Sequence, residues 1–186
     1  MPITDILSSN AKKYGNEICL VEINPELKEK HEVTWREYEL VEPKPAEHYR
    51  REITWSEFDD RANQFANLLL ENGIKKGDKV AVLLMNCLEW LPIYFGILRT
   101  GAIAVPLNFR YTSEEIKYCL GLSQADALIF GLEFIGRIEA ICDEIPNVRL
   151  RYFAGKDCPT FAESYDKLAV ECSTKNPDIK ITDDDD

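Results

Sequence analysis

The sequence predicts an α/β fold, in which a doubly wound parallel sheet is flanked by helices. This prediction depends on three short apolar segments at nearly even spacing, residues 79–84, 102–107 and 126–130. Each is too short for a surface helix, and its apolar residues are continuous, which is typical of strands buried on both faces. Helical segments separate them, so residues 78–130 predict a βαβαβ unit with right-handed crossovers.

An antiparallel meander is predicted near the N-terminus. Residues 4–14 have the pattern of a short helix that Gly15 closes, and residues 17–23 follow as a strand. Two more extended segments, residues 32–41 and 49–54, are joined by a turn that contains two prolines. We expect these strands to lie at the edge of the structure.

A capping box gives the clearest helix start. Thr54 is a good N-cap, Glu57 follows three residues later, and Ile53 with Phe58 has the spacing of a hydrophobic staple. Apolar residues then recur at helical spacing as far as Gly73.

Two similar patterns predict helices between the core strands. Asn86 and Glu89 precede a helix at residues 88–99 that is apolar nearly all round. Thr112 and Glu115 begin the next helix in the same way.

The last third of the chain has weaker patterns. Residues 132–141 are predicted to be helical, residues 148–153 to form a strand, and residues 161–170 to form a weak helix. The chain then becomes polar and ends in four aspartates at residues 183–186, a run typical of a solvated tail or linker.

Composition and charge limit the classes of partner. The net charge of −11 disfavours nucleic acid or an anionic membrane, and the 45% hydrophobic content is that of a soluble globular protein. No apolar run approaches the ~20 residues that span a bilayer, and no signal-peptide pattern is visible. A cytoplasmic location is therefore expected. The basic run at residues 75–79 predicts a solvated turn.

The six cysteines lack the spacing of a metal site. They occupy positions 19, 87, 119, 142, 158 and 172 without a C-x-x-C pair, and only His31 and His48 could add imidazole ligands. Cys87, Cys119 and Cys142 lie in or beside apolar helical segments, which predicts reduced, buried thiols that pack as small hydrophobic residues. No residue is assigned to a metal.

No pattern of a phosphate-binding loop or nucleophile is present. Gly73, Gly77, Gly101 and Gly121 are single glycines, which predicts helix ends and turns. The chain contains no G-x-G-x-x-G, G-x-x-x-x-G-K-[ST], G-x-S-x-G or H-E-x-x-H sequence.

Two acidic pairs and one arginine are the remaining candidates for chemistry. Asp59-Asp60 and Glu114-Glu115 are predicted in helix first turns, where the macrodipole favours acidic residues. Arg110 follows the second core strand, at the end of the sheet where open parallel sheets bind ligands, although a structural hydrogen-bonding role is favoured. The residues alone therefore assign no catalytic and no cofactor-binding side chain.

Four motifs occur in the order and at the spacing of a known enzyme family. Residues 53–58 read Ile-Thr-Trp-Ser-Glu-Phe and are similar to L-[TS]-Y-x-E-L, residues 77–82 to a conserved strand, and residues 98–107 to L-K-x-G-x-x-x-V-P-[IL]. Residues 108–116 are similar to the segment that follows. The chain thus resembles the adenylate-forming enzymes, which include acyl-CoA synthetases, luciferases and nonribosomal peptide adenylation domains, clearly over residues 4–130.

The resemblance implies an enzyme that uses ATP to convert a carboxylate into an acyl-adenylate and pyrophosphate. The acyl group is then passed to a thiol, commonly that of coenzyme A. Residues 105–112, Val-Pro-Leu-Asn-Phe-Arg-Tyr-Thr, look more like an acyl- or aryl-CoA synthetase than a peptide-synthetase domain. The ATP, Mg²⁺ and coenzyme A motifs of this family would follow Asp186, so no family site residue is carried over to this chain.

The chain is accordingly predicted to be an incomplete N-terminal subdomain that is inactive alone. Residues 1–54 would hold the first helix and the antiparallel strands, residues 55–160 the βα core, and residues 161–186 a weakly structured acidic lead-in to the phosphate loop. The helix at residues 88–98 is expected to supply part of an acyl or coenzyme A wall. Residues 26–51 are longer than the usual connection, and their role is open.

The expected partners are the remainder of the same polypeptide, a small-molecule carboxylate and, as an open point, a second copy of the chain. Two other interpretations stay open. One is a stand-alone, non-catalytic binding or assembly module that exposes an apolar patch. The other is an unrelated Rossmann-like domain, against which the absent glycine fingerprint counts.

Overall fold

The computed structural model describes residues 2–23, 50–182 and 185. His31, His48, the extended segment predicted at 32–41 and most of the long connection at 26–51 lie outside the described residues. The helices are α1 (Ile3–Tyr14), α2 (Trp55–Glu71), α3 (Trp90–Arg99), α4 (Ser113–Ser123), α5 (Ile135–Glu139) and α6 (Tyr165–Ala169). The strands are β1 (Ile18–Ile23), β2 (Arg50–Thr54), β3 (Lys79–Leu83), β4 (Ile103–Pro106), β5 (Ala127–Gly131), β6 (Leu150–Ala154) and β7 (Glu163–Ser164).

The core is a parallel sheet with the strand order β4-β3-β5-β6-β7, which confirms the predicted fold class. From β3 the chain crosses to β4 on one side, and it then passes to β5 on the other side of β3. Val80 pairs with both Ala104 and Ala127, so β3 is hydrogen-bonded along both edges. The connections after β3 and β5 therefore leave in opposite directions.

The continuous apolar segments become strands because helices cover both faces of the sheet. Along β3, Val80 and Val82 pack in one core with α2, α3 and α6, whereas Ala81 and Leu83 pack in a second core with α4 and α5. Successive strand residues point to opposite faces, so both sets must be apolar. Every residue of β5 is buried.

The first and third segments of the predicted meander, β1 and β2, form an antiparallel ladder, and the middle segment lies outside the described residues. The capping box of α2 is also confirmed: Glu57 N donates to Thr54 Oγ1 at 3.2 Å, and Thr54 N donates to Glu57 Oε2 at 2.7 Å. Ile53 and Phe58 are buried in one small core together with Leu7 of α1. The two helices and the ribbon thus pack beside the main sheet.

The capping box predicted at Asn86 and Glu89 is wrong. Helix α3 begins at Trp90, and no side chain caps it. The Glu89 carboxylate instead accepts a hydrogen bond from Arg51 at 3.1 Å, because β2 brings this guanidinium to the start of the helix. Leu88 is buried in the turn before the helix.

The end predicted for α4 is also wrong, although its capping box at Thr112 and Glu115 is confirmed. Gly121 lies inside the helix, which continues to Ser123 and ends at Gln124 with a φ of 53°. This left-handed residue lets Ala125 N reach the carbonyl of Leu120 at 3.1 Å.

The segments after β5 are more broken than their patterns predict. A 3₁₀ turn at Leu132–Phe134 precedes α5, and the helix predicted at 161–170 is divided into the two-residue strand β7 and the short α6. Ser164 accepts a hydrogen bond from Lys167 N at 3.4 Å and caps α6. Two residues are too few to carry a strand pattern.

Candidate functional site at the carboxyl edge of the sheet

The strand order places a crevice at one end of the sheet. Open parallel sheets bind ligands outside the carboxyl ends of their strands, where neighbouring connections leave in opposite directions. Here that point lies between β3 and β5. We call residues 84–89, 107–112 and 131–137, which follow β3, β4 and β5, the carboxyl edge.

The loop at residues 107–112, hereafter the β4 loop, has a well-defined backbone. Asn108 Oδ1 accepts from Arg110 N at 2.9 Å, and Asn108 O accepts from Tyr111 N at 3.0 Å. Leu107 N still donates to Val82 O of β3 at 2.9 Å. The loop ends at Thr112, the N-cap of α4, so both of its ends are fixed.

Arg137 of α5 contacts the β4 loop from the other side of β3. Its Nη1 donates to the carbonyl oxygens of Phe109 at 2.7 Å and of Tyr111 at 3.0 Å. Its guanidinium lies over the ring of Phe134, 5.5 Å from the centroid. Sequence reasoning missed this residue, because the two carbonyls lie 28 and 26 positions away in the chain.

Arg110 is exposed on the β4 loop, at the carboxyl end of a core strand as the sequence predicts. Its guanidinium carbon is 5.4 Å from the centroid of the Phe109 ring. A guanidinium can pair with a carboxylate or a phosphate in a bidentate manner, so this side chain suits an anionic ligand. Its favoured structural role stays a prediction.

An open groove of about 390 Å³ lies beside the start of α3. Its lining comes from β1, the turn after β3 and the first turn of α3: Leu20, Val21, Glu22, Asn86, Cys87, Leu88, Trp90 and Leu91. Arg51 bridges Glu22 and Glu89 at one side. Burial raises the pKa of the Cys87 thiol to about 12, so this thiol is not an activated nucleophile.

Residues 7–185 match the model of the AMP-binding enzyme family. The chain belongs to this family. Among curated AMP-binding relatives, it is 35% identical over 91 residues to the medium/long-chain-fatty-acid–CoA/3-oxocholest-4-en-26-oate–CoA ligase of Mycolicibacterium smegmatis, covering 49% of this chain and 16% of the relative. It is 32% identical over 117 residues to human mitochondrial acyl-coenzyme A synthetase ACSM2B, covering 62% and 20%. The chain thus spans a fifth or less of these relatives.

Solved structures show the same fold. The anthranilate CoA ligase AuaEII in complex with anthranoyl-AMP matches with a TM-score of 0.75 and 26% identity, covering 94% of this chain and 30% of that one. A Mycobacterium tuberculosis fatty acyl CoA synthetase matches with a TM-score of 0.76 and 22% identity, covering 98% and 31%. Within the described ranges, no helix is long and apolar enough to cross a membrane.

The first acidic pair of this AMP-binding chain has a different position from the one predicted. Asp59 and Asp60 lie in the second turn of α2, and Asp59 accepts a hydrogen bond from the fully buried Arg99. Arg99 also donates to Asn63 Oδ1 at 2.6 Å and to Ser8 Oγ at 2.9 Å. This cluster joins three helices around a buried guanidinium, so it serves the fold.

The second acidic pair, Glu114 and Glu115, does lie in a helix first turn, as predicted. Gly73, Gly77 and Gly101 adopt positive φ values of 79°, 87° and 73° at helix ends and turns, again as predicted. The basic run at 75–79 is a turn in which Lys75 N donates to the Asp78 carboxylate at 2.9 Å.

The cysteines are less buried than predicted. Cys87, Cys119 and Cys142 are each half-buried, and all six thiols are free. Burial raises the pKa of Cys19, Cys158 and Cys172 as well. In the part of the chain that the structure describes, no group of three or more histidine, cysteine or acidic side chains could hold a metal ion.

Proposed function

We propose that this chain is the N-terminal part of an ATP-dependent ligase that activates a carboxylic acid. The complete enzyme converts an acyl or aryl acid and ATP into an acyl-adenylate and pyrophosphate, and then transfers the acyl group to coenzyme A. The match of residues 7–185 to the AMP-binding family carries this proposal. The names of the relatives, which are acyl-CoA ligases, and the anthranoyl-AMP in the AuaEII structure support the substrate class.

In this proposal the chain supplies the scaffold and one wall of the site. The β4 loop and the first turn of α3 line the carboxyl edge, where Phe109 is 36% and Leu132 is 61% exposed. Apolar side chains at the ligand-binding end of a sheet are suited to contact an acyl group or further protein. The helix predicted to form an acyl or coenzyme A wall takes part through Trp90 and Leu91.

In this proposal, the residues that hold Mg²⁺ and ATP come from the rest of the complete enzyme. Within the described residues, no group of three or more histidine, cysteine or acidic side chains could hold a metal ion. Because the proposal places the Mg²⁺ and ATP residues outside this chain, the 186-residue chain alone is expected to be inactive. Its location in the cytoplasm stays a prediction.

The experiment compares the complete polypeptide that contains this segment with the 186-residue chain. Both are assayed for exchange of labelled pyrophosphate into ATP with a panel of aliphatic and aryl acids, and acyl-CoA products are detected by mass spectrometry. We expect the complete polypeptide to catalyse pyrophosphate exchange that depends on an added carboxylic acid and to form thioesters, and we expect the 186-residue chain to do neither. Exchange by the short chain would refute its inactivity, and a complete polypeptide without exchange on any acid would refute the ligase assignment.

A stand-alone assembly module is the second candidate, and one observation favours it. Tyr118 and Leu122 on α4 are 68% and 71% exposed and lie together on one face with Gly121. Exposed apolar patches favour association. Light scattering on the 186-residue chain tests this candidate. It predicts a dimer or larger assembly that Leu122→Glu dissolves, whereas a monomer at all concentrations contradicts it.

A further inference from the structure

We propose that Arg137 is a positioning residue, which sets the β4 loop in the geometry that the ligase reaction requires. This inference rests on the proposed function. It assigns no contact between Arg137 and substrate, because the guanidinium acts on the backbone of the loop.

The geometry of the contact spans the crevice. Arg137 belongs to the connection after β5, whereas the β4 loop follows β4, and β3 lies between these two strands. The two hydrogen bonds, at 2.7 and 3.0 Å, therefore join the connection after β5 to the connection after β4. They end on the carbonyls of Phe109 and Tyr111, which are the residues on either side of Arg110. The loop is thus held on both sides of its exposed arginine.

The bonding of Arg137 differs from that of an arginine that neutralises an acid. Within the described ranges, its partners are two main-chain carbonyls and the ring of Phe134, with no carboxylate among them. Phe134 is 1% exposed in the core below α5, so the ring is a fixed base for the guanidinium. The guanidinium thus binds the main chain of the loop and lies against a buried ring.

Core packing fixes the loop near its two ends but not in its middle. Leu107 and Tyr111 pack against the second core, whereas residues 108–110 between them are exposed. The bonds within the loop define its turn, and the bonds from Arg137 relate that turn to β5 across the crevice. Misplacing a reacting or binding group by about 1 Å can cost up to ~10²-fold in rate. A displaced loop is therefore expected to affect catalysis before it affects the fold.

Arg149 provides a matched control at the opposite end of the sheet. It donates to the carbonyl of Asn72 at 3.1 Å and to that of Gly73 at 3.0 Å. The number and type of its main-chain hydrogen bonds equal those of Arg137, but Arg149 also pairs with Asp78 at 3.3 Å and lies 4.0 Å from a carboxylate oxygen of Asp126. If Arg137 had a purely structural role, its loss would lower stability, as the loss of Arg149 should, without a selective loss of kcat/KM.

The test uses the complete polypeptide with wild-type sequence, Arg137→Met, Arg137→Lys and Arg149→Met. Hydrogen exchange with peptide-level mass spectrometry measures protection of residues 107–112, and kinetics give kcat and KM for acid, ATP and coenzyme A. We expect Arg137→Met to speed exchange in the β4 loop and to lower kcat/KM about tenfold or more. Arg137→Lys should partly restore both. Arg149→Met should leave both unchanged while lowering the melting temperature at least as much as Arg137→Met does, since it also removes the ion pair with Asp78.

Two results would overturn the inference: unchanged exchange in the β4 loop of Arg137→Met, or equal losses of kcat/KM in Arg137→Met and Arg149→Met. If the wild-type polypeptide shows no ligase activity, the proposed function fails, and the catalytic part of this inference fails with it. The exchange data would still decide whether Arg137 holds the loop, so the two failures are distinguishable.

Discussion

The two ends of the central sheet are built differently. We call residues 72–79, 99–102, 124–126 and 149, which precede the strands, the amino edge. There, Lys79 N donates to Asp126 Oδ2 at 2.9 Å, and Gly77 N donates to Gly101 O at 2.9 Å. The carboxyl edge instead exposes Phe109 and Leu132. Polar bonds between segments hold the amino edge together, and our proposal places the ligand at the carboxyl edge.

We therefore expect the two edges of the sheet to have different roles. Substitutions at the amino edge should reduce stability, and substitutions at the carboxyl edge should reduce activity with little loss of stability. The following changes test that division, and the free energies of unfolding are measured by urea titration of the 186-residue chain.

The largest loss is expected for Arg99→Met, at the helix end that leads into the amino end of β4. The change leaves Asp59 and Asn63 without their buried partner, which should cost about 3 kcal/mol. Adding Asp59→Asn should recover part of this loss, because no unpaired carboxylate then remains. A loss below about 1 kcal/mol would show that Arg99 does not hold the three helices together.

A smaller loss is expected for Asp126→Ala at the amino edge. The Lys79 N–H, half-buried at the start of β3, loses its charged acceptor, and the free energy of unfolding should fall by about 1.5 kcal/mol. Asp126→Asn is the matched control, since an amide oxygen can still accept this bond. Equal losses in the two variants would contradict this explanation.

At the carboxyl edge, Thr112→Ala removes the N-cap of α4 and should cost about 1 kcal/mol. Thr112→Ser retains the hydroxyl and should be close to wild type. If Thr112→Ala lowered the free energy of unfolding as much as Arg99→Met, the carboxyl edge would contribute more to stability than we propose.

Leu132→Ser should change the free energy of unfolding by less than about 0.5 kcal/mol, because the side chain is 61% exposed. In the complete polypeptide, the same change should lower kcat/KM for the carboxylic acid, since it alters the apolar surface of the carboxyl edge. Full activity in this variant would remove Leu132 from the site.

The smallest effect concerns pH. The hydrogen bond from Thr54 N lowers the pKa of Glu57, so its contribution to stability is complete above the ordinary glutamate pKa. This contribution is lost as the pH falls from that value through the lowered folded-state pKa. Glu57→Ala should therefore differ from wild type at neutral pH and converge with it in acid. If the difference in the free energy of unfolding between Glu57→Ala and wild type grew as the pH fell, this explanation would be contradicted.

Local patterns predicted the parts of this structure that depend on neighbours in the chain. The predictions of apolar strands buried on both faces and of the Thr-x-x-Glu capping boxes were correct. In each case, the residues that determine the structure lie within a few positions of one another in the chain. The Asn86 prediction failed because Glu89 binds Arg51, 38 positions away. Arg99 with Asp59 and Arg137 with Phe109 join residues 40 and 28 positions apart. No local sequence pattern predicts such pairs, so the polar contacts of the site could be identified only from the structure.

Ligand protection measures directly whether the carboxyl edge forms part of the ligase site. Hydrogen exchange of the complete polypeptide is measured with and without ATP plus a carboxylic acid that the enzyme activates. We predict protection of residues 84–89, 107–112 and 131–137 and no change in residues 72–79. Protection confined to the amino edge, or no protection at either edge, would contradict the claim that the carboxyl edge forms part of the ligase site.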